Sequence, residues 1–162
     1  MNLIKWISVT DRYTKMYLDR LLEPLGLNSS QHMYIVRICQ NPGITQDQFF
    51  KLFYIHPSNI TRALTFLEKE GFLEKKTNPK DKRTCRLYPT EKAETACEQI
   101  RQICMDWNNR VLKGFREEEK QLFLDFLERA GKQAVFEVSN DWEKENQERE
   151  RQNEDKCTAD KP

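Results

Sequence analysis

Apolar residues return every three or four positions along most of this chain, and that spacing predicts helices. Ile4, Ile7, Thr14, Leu18 and Leu21 recur in this way with Trp6, Tyr13 and Tyr17 beside them, so a first helix is expected from about Leu3 to Leu22. Pro24 and Gly26 end it. Asn28 and Gln31 form a capping pair ahead of a second helix, with Met33, Val36 and Cys39 on one side and Ile35 and Ile38 widening it. Asn41-Pro42-Gly43 is a turn. Thr45 and Gln48 make a stronger capping box, which opens a third helix through Phe49, Leu52 and Phe53. A tight turn at Tyr54-Ile55-His56 leads to Pro57. Proline suits the first position of a fourth helix, because the N–H it lacks would be unpaired there. Ile60, Ala63, Leu64 and Leu67 then face the core, and Gly71 closes the helix in a left-handed conformation.

At Phe72 the period changes from helical to alternating. Phe72 to Thr77 and Thr84 to Tyr88 are expected to be antiparallel strands, with residues 78–83 as the loop between them. Pro89 ends the second strand and Thr90 caps a long fifth helix. On it Ala93, Ala96, Ile100, Ile103, Trp107 and Val111 approximate a heptad stripe. Gly114 interrupts that stripe, and a sixth helix from about Glu117 carries Leu122, Phe123, Phe126, Leu127 and Ala130. Beyond Asp141 the residues have no apolar face. Helix formers abound there, so the sixth helix runs on as an exposed extension, with Lys156 to Pro162 frayed.

The expected fold class is mostly α with a small β-wing: a winged helix-turn-helix lobe plus a helical dimerisation region. The divisions are residues 1–24 (N-terminal dimerisation helix), 25–92 (winged helix-turn-helix lobe), 93–141 (C-terminal dimerisation helices) and 142–162 (charged extension or tail). Dimerisation follows from Trp6, Ile7, Trp107, Phe123, Phe126 and Phe136, more large apolar groups than one small lobe buries. An internal helical bundle is the competing arrangement.

Charge sharpens the picture. The formal net charge is +1, which alone suggests no polyanion. Yet Lys75 to Arg86 holds six cations and one acid, a net of +5, so the rest of the chain sums to −4. A local cationic patch on a near-neutral protein is a footprint for phosphate, though a solvated hairpin has the same composition. With Ile60, Leu64 and Leu67 on the buried side of the fourth helix, Ser58, Asn59, Thr61, Arg62 and Thr65 fall on its outer face or tip. Such groups can reach base edges or phosphates, and Arg62 can fork to guanine. Ser58 or Asn59 alone reads better as a cap; the turn before and the basic hairpin after favour duplex DNA. In the hairpin Asp81 holds a neighbouring arginine or loop N–H groups, leaving Lys80, Lys82 and Arg83 outward, and an arginine there can enter a narrow minor groove.

Taken together, Gly26-Leu27-Asn28…Gln31, Pro42-Gly43-Ile44-Thr45-Gln46, Ser58-Asn59-Ile60-Thr61-Arg62, Leu67-Glu68-Lys69-Glu70-Gly71-Phe72, Asp81-Lys82-Arg83 and Leu87-Tyr88-Pro89-Thr90-Glu91-Lys92 resemble the MarR family of bacterial transcriptional regulators, over roughly Leu25 to Ala93. The resemblance implies a triangular homodimer whose first, fifth and sixth helices interlock. It places Ser58, Asn59, Thr61 and Arg62 at the major groove, with Pro57 beside them among the DNA-binding residues, and Arg83 in the minor groove. Asp81 would brace the wing, and Thr45 and Gln46 would approach phosphates. It also implies a repressor on a pseudo-palindromic operator, with a small aromatic or anionic effector in a crevice; Tyr13, Tyr17, His32 and Arg37 are the wall residues here, each with an ordinary packing role as the alternative. The chain departs from the family at Phe49-Phe50-Lys51-Leu52, at His56 (a weaker cap than the usual acid or serine), at Lys82 and at Ala93.

Other chemistry finds little footing. Two histidines, no nucleophile motif and no glycine-rich phosphate loop argue against an enzyme. Five scattered cysteines give no zinc spacing, so neither metal nor cofactor is expected. Cys97 and Cys104 read as core thiols; a redox input would need Cys39 or Cys104. No stretch approaches the ~20 apolar residues that span a bilayer, and the N-terminus is too soon polar for a signal peptide, so no membrane partner and a cytoplasmic location are expected. A winged-helix protein-interaction module without sequence-specific DNA reading is the alternative function.

Overall fold

The computed structural model describes residues 2–78 and 81–159. In chain order the elements are α1 (Leu3–Leu22), a 3-10 turn (Glu23–Leu25), α2 (His32–Gln40), β1 (Ile44–Thr45), α3 (Gln46–Phe53), α4 (Pro57–Lys69), β2 (Leu73–Asn78), β3 (Asp81–Pro89), α5 (Glu91–Val111) and α6 (Glu117–Ala159). The class is mostly helical with one small antiparallel sheet, whose strand order is β1-β3-β2.

Residues Met1–Lys113 form one compact unit. Its core gathers Leu18 and Leu22 from α1, Tyr34, Ile35 and Ile38 from α2, Phe49 from α3, Ile60, Leu64 and Leu67 from α4, Leu73 and Leu87 from the sheet, and Ala93 to Ile100 from α5. The end of α1 and the start of α5 therefore belong to the same apolar core as the helix-turn-helix. Gly26 ends the 3-10 turn at φ +69 and Gly71 follows α4 at φ +76, both left-handed. Thr90 caps α5 by accepting from Ala93 N–H at 3.3 Å, and its hydroxyl donates to the Gly71 carbonyl at 2.7 Å. One residue thus ties the start of α5 to the end of α4.

Several expectations need correction. On α2 the buried side is Tyr34, Ile35 and Ile38; Met33, Val36 and Cys39 are half-buried. The Asn28–Gln31 pair closes a turn one step ahead of the helix. Gln31 Oε1 accepts from Asn28 N–H at 3.0 Å, but Asn28 Oδ1 takes the Ser30 N–H at 2.9 Å, and α2 starts only at His32. Leu52 on α3 and Val111 on α5 are exposed, whereas both were expected in apolar stripes. The third strand, β1, was not expected: two residues are too few for a period, and Ile44 and Thr45 are strand only because they pair with Leu87 and Arg86 far along the chain. The hairpin loop is shorter than expected, since Asn78 pairs with Asp81 across a register shift and β3 begins at Asp81.

The second unit runs from Gly114 and contains α6, 43 residues long. Three glutamates open it, matching the positive end of the helix dipole. Leu122, Phe123, Phe126, Leu127, Phe136 and Val138 stand exposed along it. The helix continues to Ala159, so part of the stretch expected to fray is helical; residues 160–162 lie outside the described residues.

Candidate nucleic-acid interface

Helices α3 and α4 with the turn at Tyr54-Ile55-His56 make a helix-turn-helix. Tyr54 takes φ +53, a left-handed conformation in a non-glycine residue, and lets the chain reverse in three residues. Burial sets which side of α4 is free. Ile60, Leu64 and Leu67 are at most 1% exposed, while Pro57, Ser58, Asn59, Thr61, Arg62 and Thr65 are all exposed. The polar front expected from the sequence is a real surface.

That front is pre-ordered. His56 caps α4: its Nδ1 accepts from the Ser58 N–H at 3.3 Å and lies 2.7 Å from the Ser58 hydroxyl. The imidazole thus does the work of the acid or serine it replaces. Gln46 Nε2 donates to the Thr61 hydroxyl at 2.7 Å, joining the start of α3 to the face of α4. Arg62 Nη2 donates to Asn59 Oδ1 at 2.7 Å, one turn back. Thr45 N–H donates to Gln48 Oε1 at 2.8 Å, which is half of the expected capping box. Thr45 and Gln46 are half-buried beside this front.

The wing is β2 and β3. Cross-strand pairs run from Leu73↔Pro89 to Thr77↔Cys85 and then Asn78↔Asp81. Lys80 lies outside the described residues, and so do the side chains of Asp81, Lys82 and Arg83, whose backbone is the start of β3. Lys75 pairs with Glu68 of α4 at 2.6 Å and fixes the base of the wing to that helix. Sequence reasoning counted Lys76 and Arg86 in the cationic run without giving either a place at the interface; they face each other on the wing.

The four crevice residues separate. His32 and Arg37 line one cleft of about 380 Å³ with Phe53 and Cys104. Arg37 also borders a neighbouring cleft of about 440 Å³ with Gly43, Ile44 and Gln48. Its Nε is buried with no hydrogen-bond partner among the described residues, an unmet donor in a side chain that borders both clefts. His32 Nδ1 donates to the Ser29 carbonyl at 2.7 Å, and burial pushes its pKa below the usual 6.5, the bond opposing this in part. Tyr17 stacks on Trp107 at 4.5 Å between ring centres, with Arg20 and Arg110 each 5.8 Å from its ring. Tyr13 is exposed. Neither tyrosine lines that cleft, so Tyr17 has the packing role.

Cys39 Sγ lies 3.6 Å from the Ala93 carbonyl, and burial with the neighbouring Cys97 thiol pushes its pKa to about 12. Burial raises Cys104 as well. Among the described residues no group of three or more His, Cys, Asp or Glu could hold a metal ion, and no helix is long and apolar enough to cross a membrane.

A family model described as MarR family matches residues 27–85. The uncharacterized HTH-type transcriptional regulator YybA of Bacillus subtilis (strain 168) is 32% identical over 119 residues, 74% of this chain and 77% of that protein. The HTH-type transcriptional regulator BilQ of Clostridioides difficile (strain CD3) is 30% identical over 105 residues, 65% and 71% of the two chains. Among solved structures, the transcriptional regulator SlyA superimposes with a TM-score of 0.80 at 27% identity, covering 85% of this chain and 96% of that one. A MarR family transcriptional regulator from Listeria monocytogenes, solved in complex with a 26mer DNA, gives a TM-score of 0.80 at 30% identity, covering 85% and 91%.

Proposed function

Since this chain belongs to the MarR family of transcriptional regulators, we propose that it binds duplex DNA as a two-fold homodimer and represses from a pseudo-palindromic operator. The observation that carries this reading is the free, pre-ordered front of α4. Ser58, Asn59, Thr61 and Arg62 are exposed and held by His56, Gln46 and one another, while the opposite side of the helix is fully buried. In this reading Arg62 reads a base or clamps a phosphate, with Pro57 and Thr65 at the edge of the major groove. Thr45 and Gln46 approach phosphates. Arg83 enters the minor groove with Asp81 bracing the wing, and Lys80 and Lys82 add charge beside it.

The dimer is supported by the apolar residues left uncovered on α1 (Leu3, Ile4, Trp6, Ile7) and on α6 (Phe123, Phe126). Two-fold symmetry requires half-sites about 10 base pairs apart, centre to centre. The His32–Arg37 cleft is the proposed seat of a small aromatic or anionic effector, for which the unmet Arg37 Nε–H is a ready donor.

The test is selection of genomic fragments by the purified protein, followed by titration of the recovered fragment. Enrichment of fragments sharing a two-fold motif, with binding weakened in Arg62→Ala and in Arg83→Ala, is the expected result. No binding even to random duplex at low salt would overturn it and favour a winged-helix module that grips an acidic protein partner.

A further inference from the structure

Alternation along the sheet separates two faces. Ile44, Leu73 and Leu87 point inward and are buried. Thr45, Arg86 and Lys76 are the opposite set. Register places them in one row across all three strands, Thr45 opposite Arg86 and Arg86 opposite Lys76. Strands lie about 4.8 Å apart, so the row is roughly 10 Å wide. At its β1 end the next residue is Gln46, whose amide holds Thr61 of α4. The row therefore continues the α4 front onto the wing.

Within it Arg86 is unusual. It is half-buried, with Nη1 only 3.5 Å from where a side chain on Gly43 would begin. Lys76 opposite has company: Glu74 at 3.7 Å and the Tyr88 ring at 4.9 Å. Arg86 makes no ion pair or side-chain hydrogen bond among the described residues. Like charges directly opposite on a sheet are destabilising, and here one of the two has no ion-pair partner among the described residues. A guanidinium presents a planar fork that fits the oxygens of a phosphate.

We infer that Arg86 is a further phosphate-holding residue, fixed over Gly43 between the α4 front and the wing, which joins the two surfaces into one continuous contact with the duplex backbone. This rests on the duplex-binding reading above.

The experiment follows binding of the full chain to a random-sequence duplex and to the best genomic fragment across a salt series. Arg86→Gln, and Arg86→Met, which keeps an unbranched stem without the charge, should weaken both duplexes by the same factor. Each should make log K against log salt shallower by ~0.9 per copy, or ~1.8 for a dimer, so that between roughly 50 and 200 mM salt the variant loses ~12-fold less affinity than the parent. Arg86→Lys should keep the parent slope. An unchanged slope in both charge-removing variants, or weakening confined to the genomic fragment, overturns the inference while leaving duplex binding standing. Failure of the parent chain to bind either duplex at low salt overturns the underlying reading itself.

Discussion

Gln46 and Thr61 share one hydrogen bond of 2.7 Å between α3 and α4, and the Thr61 hydroxyl passes it on to the Pro57 carbonyl at 3.0 Å. An exposed side chain on the proposed reading helix is thereby locked to its neighbour before any ligand arrives. A double-mutant cycle of Gln46→Ala and Thr61→Val, measured by urea unfolding, should show a coupling of ~0.5–1 kcal/mol. Strict additivity would mean that the two side chains do not hold each other in solution.

Arg62 Nη2 rests on Asn59 Oδ1 at 2.7 Å on an exposed surface. Arg62→Ala should cost ~1–3 kcal/mol of affinity for the best genomic fragment and move the urea midpoint by less than ~0.5 kcal/mol equivalent. Fluorescence anisotropy and urea unfolding on the same preparation check both. A large stability loss with intact affinity would reverse the assignment.

Phe126 is 56% exposed on α6 and Trp6 is 63% exposed on α1. Phe126→Glu should shift sedimentation equilibrium from twice the chain mass to the single chain mass, because a carboxylate cannot be buried unpaired in an apolar contact. A parent chain that already sediments as a monomer would remove the dimer from the proposal.

Two glycines should respond in opposite directions. Gly43 has φ +87, and a Cβ there would meet the Tyr88 hydroxyl at 3.3 Å. Gly43→Ala should destabilise by at least ~1–2 kcal/mol. Gly131 lies inside α6 with open space around it, so Gly131→Ala should stabilise by ~0.5–1 kcal/mol. Thermal melts of the two variants against the parent decide each case.

His32 gives a pH dependence with a definite sign. Its folded pKa lies below the unfolded value of 6.5 because burial disfavours the charged ring. The unfolded chain then binds the proton first, so stability holds above about pH 6.5 and falls as pH drops below it, until the folded pKa is passed. Asp19 and Glu119 are lowered as well, from 3.8 and 4.5, by hydrogen bonds from Ser29 and Arg116, and their contributions fade only in more acid solution. His32→Gln should flatten the change in urea midpoint between pH 7.5 and 5.5. An equally steep change in that variant would assign the effect elsewhere.

Most of this architecture was legible because it is written in short-range signals. The bounds of α1, the proline at the start of α4, the glycine after it and the Thr90 cap each depend on residues within a few positions. What was not legible depends on distant partners. β1 exists through its pairing with Leu87 and Arg86. The centre of the α2 face is chosen by what packs on it, so Tyr34 is buried with Ile35 and Ile38 while Met33, Val36 and Cys39 pack half-buried at the edge of the core. Arg86 could have been found by alternation, since it sits one residue from an inward Leu87, but without β1 in view nothing connected it to Thr45. His56 was read as a weak cap because imidazole is an uncommon one; its contact with Ser58 makes it serve.

The shielding of Cys39 has an outcome for oxidants. With its pKa raised to about 12 by burial and the neighbouring Cys97 thiol, Cys39 stays a protonated thiol at neutral pH. Cys97 is buried and Cys104 half-buried, while Cys85 stands in the open on β3. Among the described cysteines, a peroxide meets an open thiol at Cys85 on the wing and a half-buried one where Cys104 lines the His32–Arg37 cleft, while Cys97 is closed off in the core.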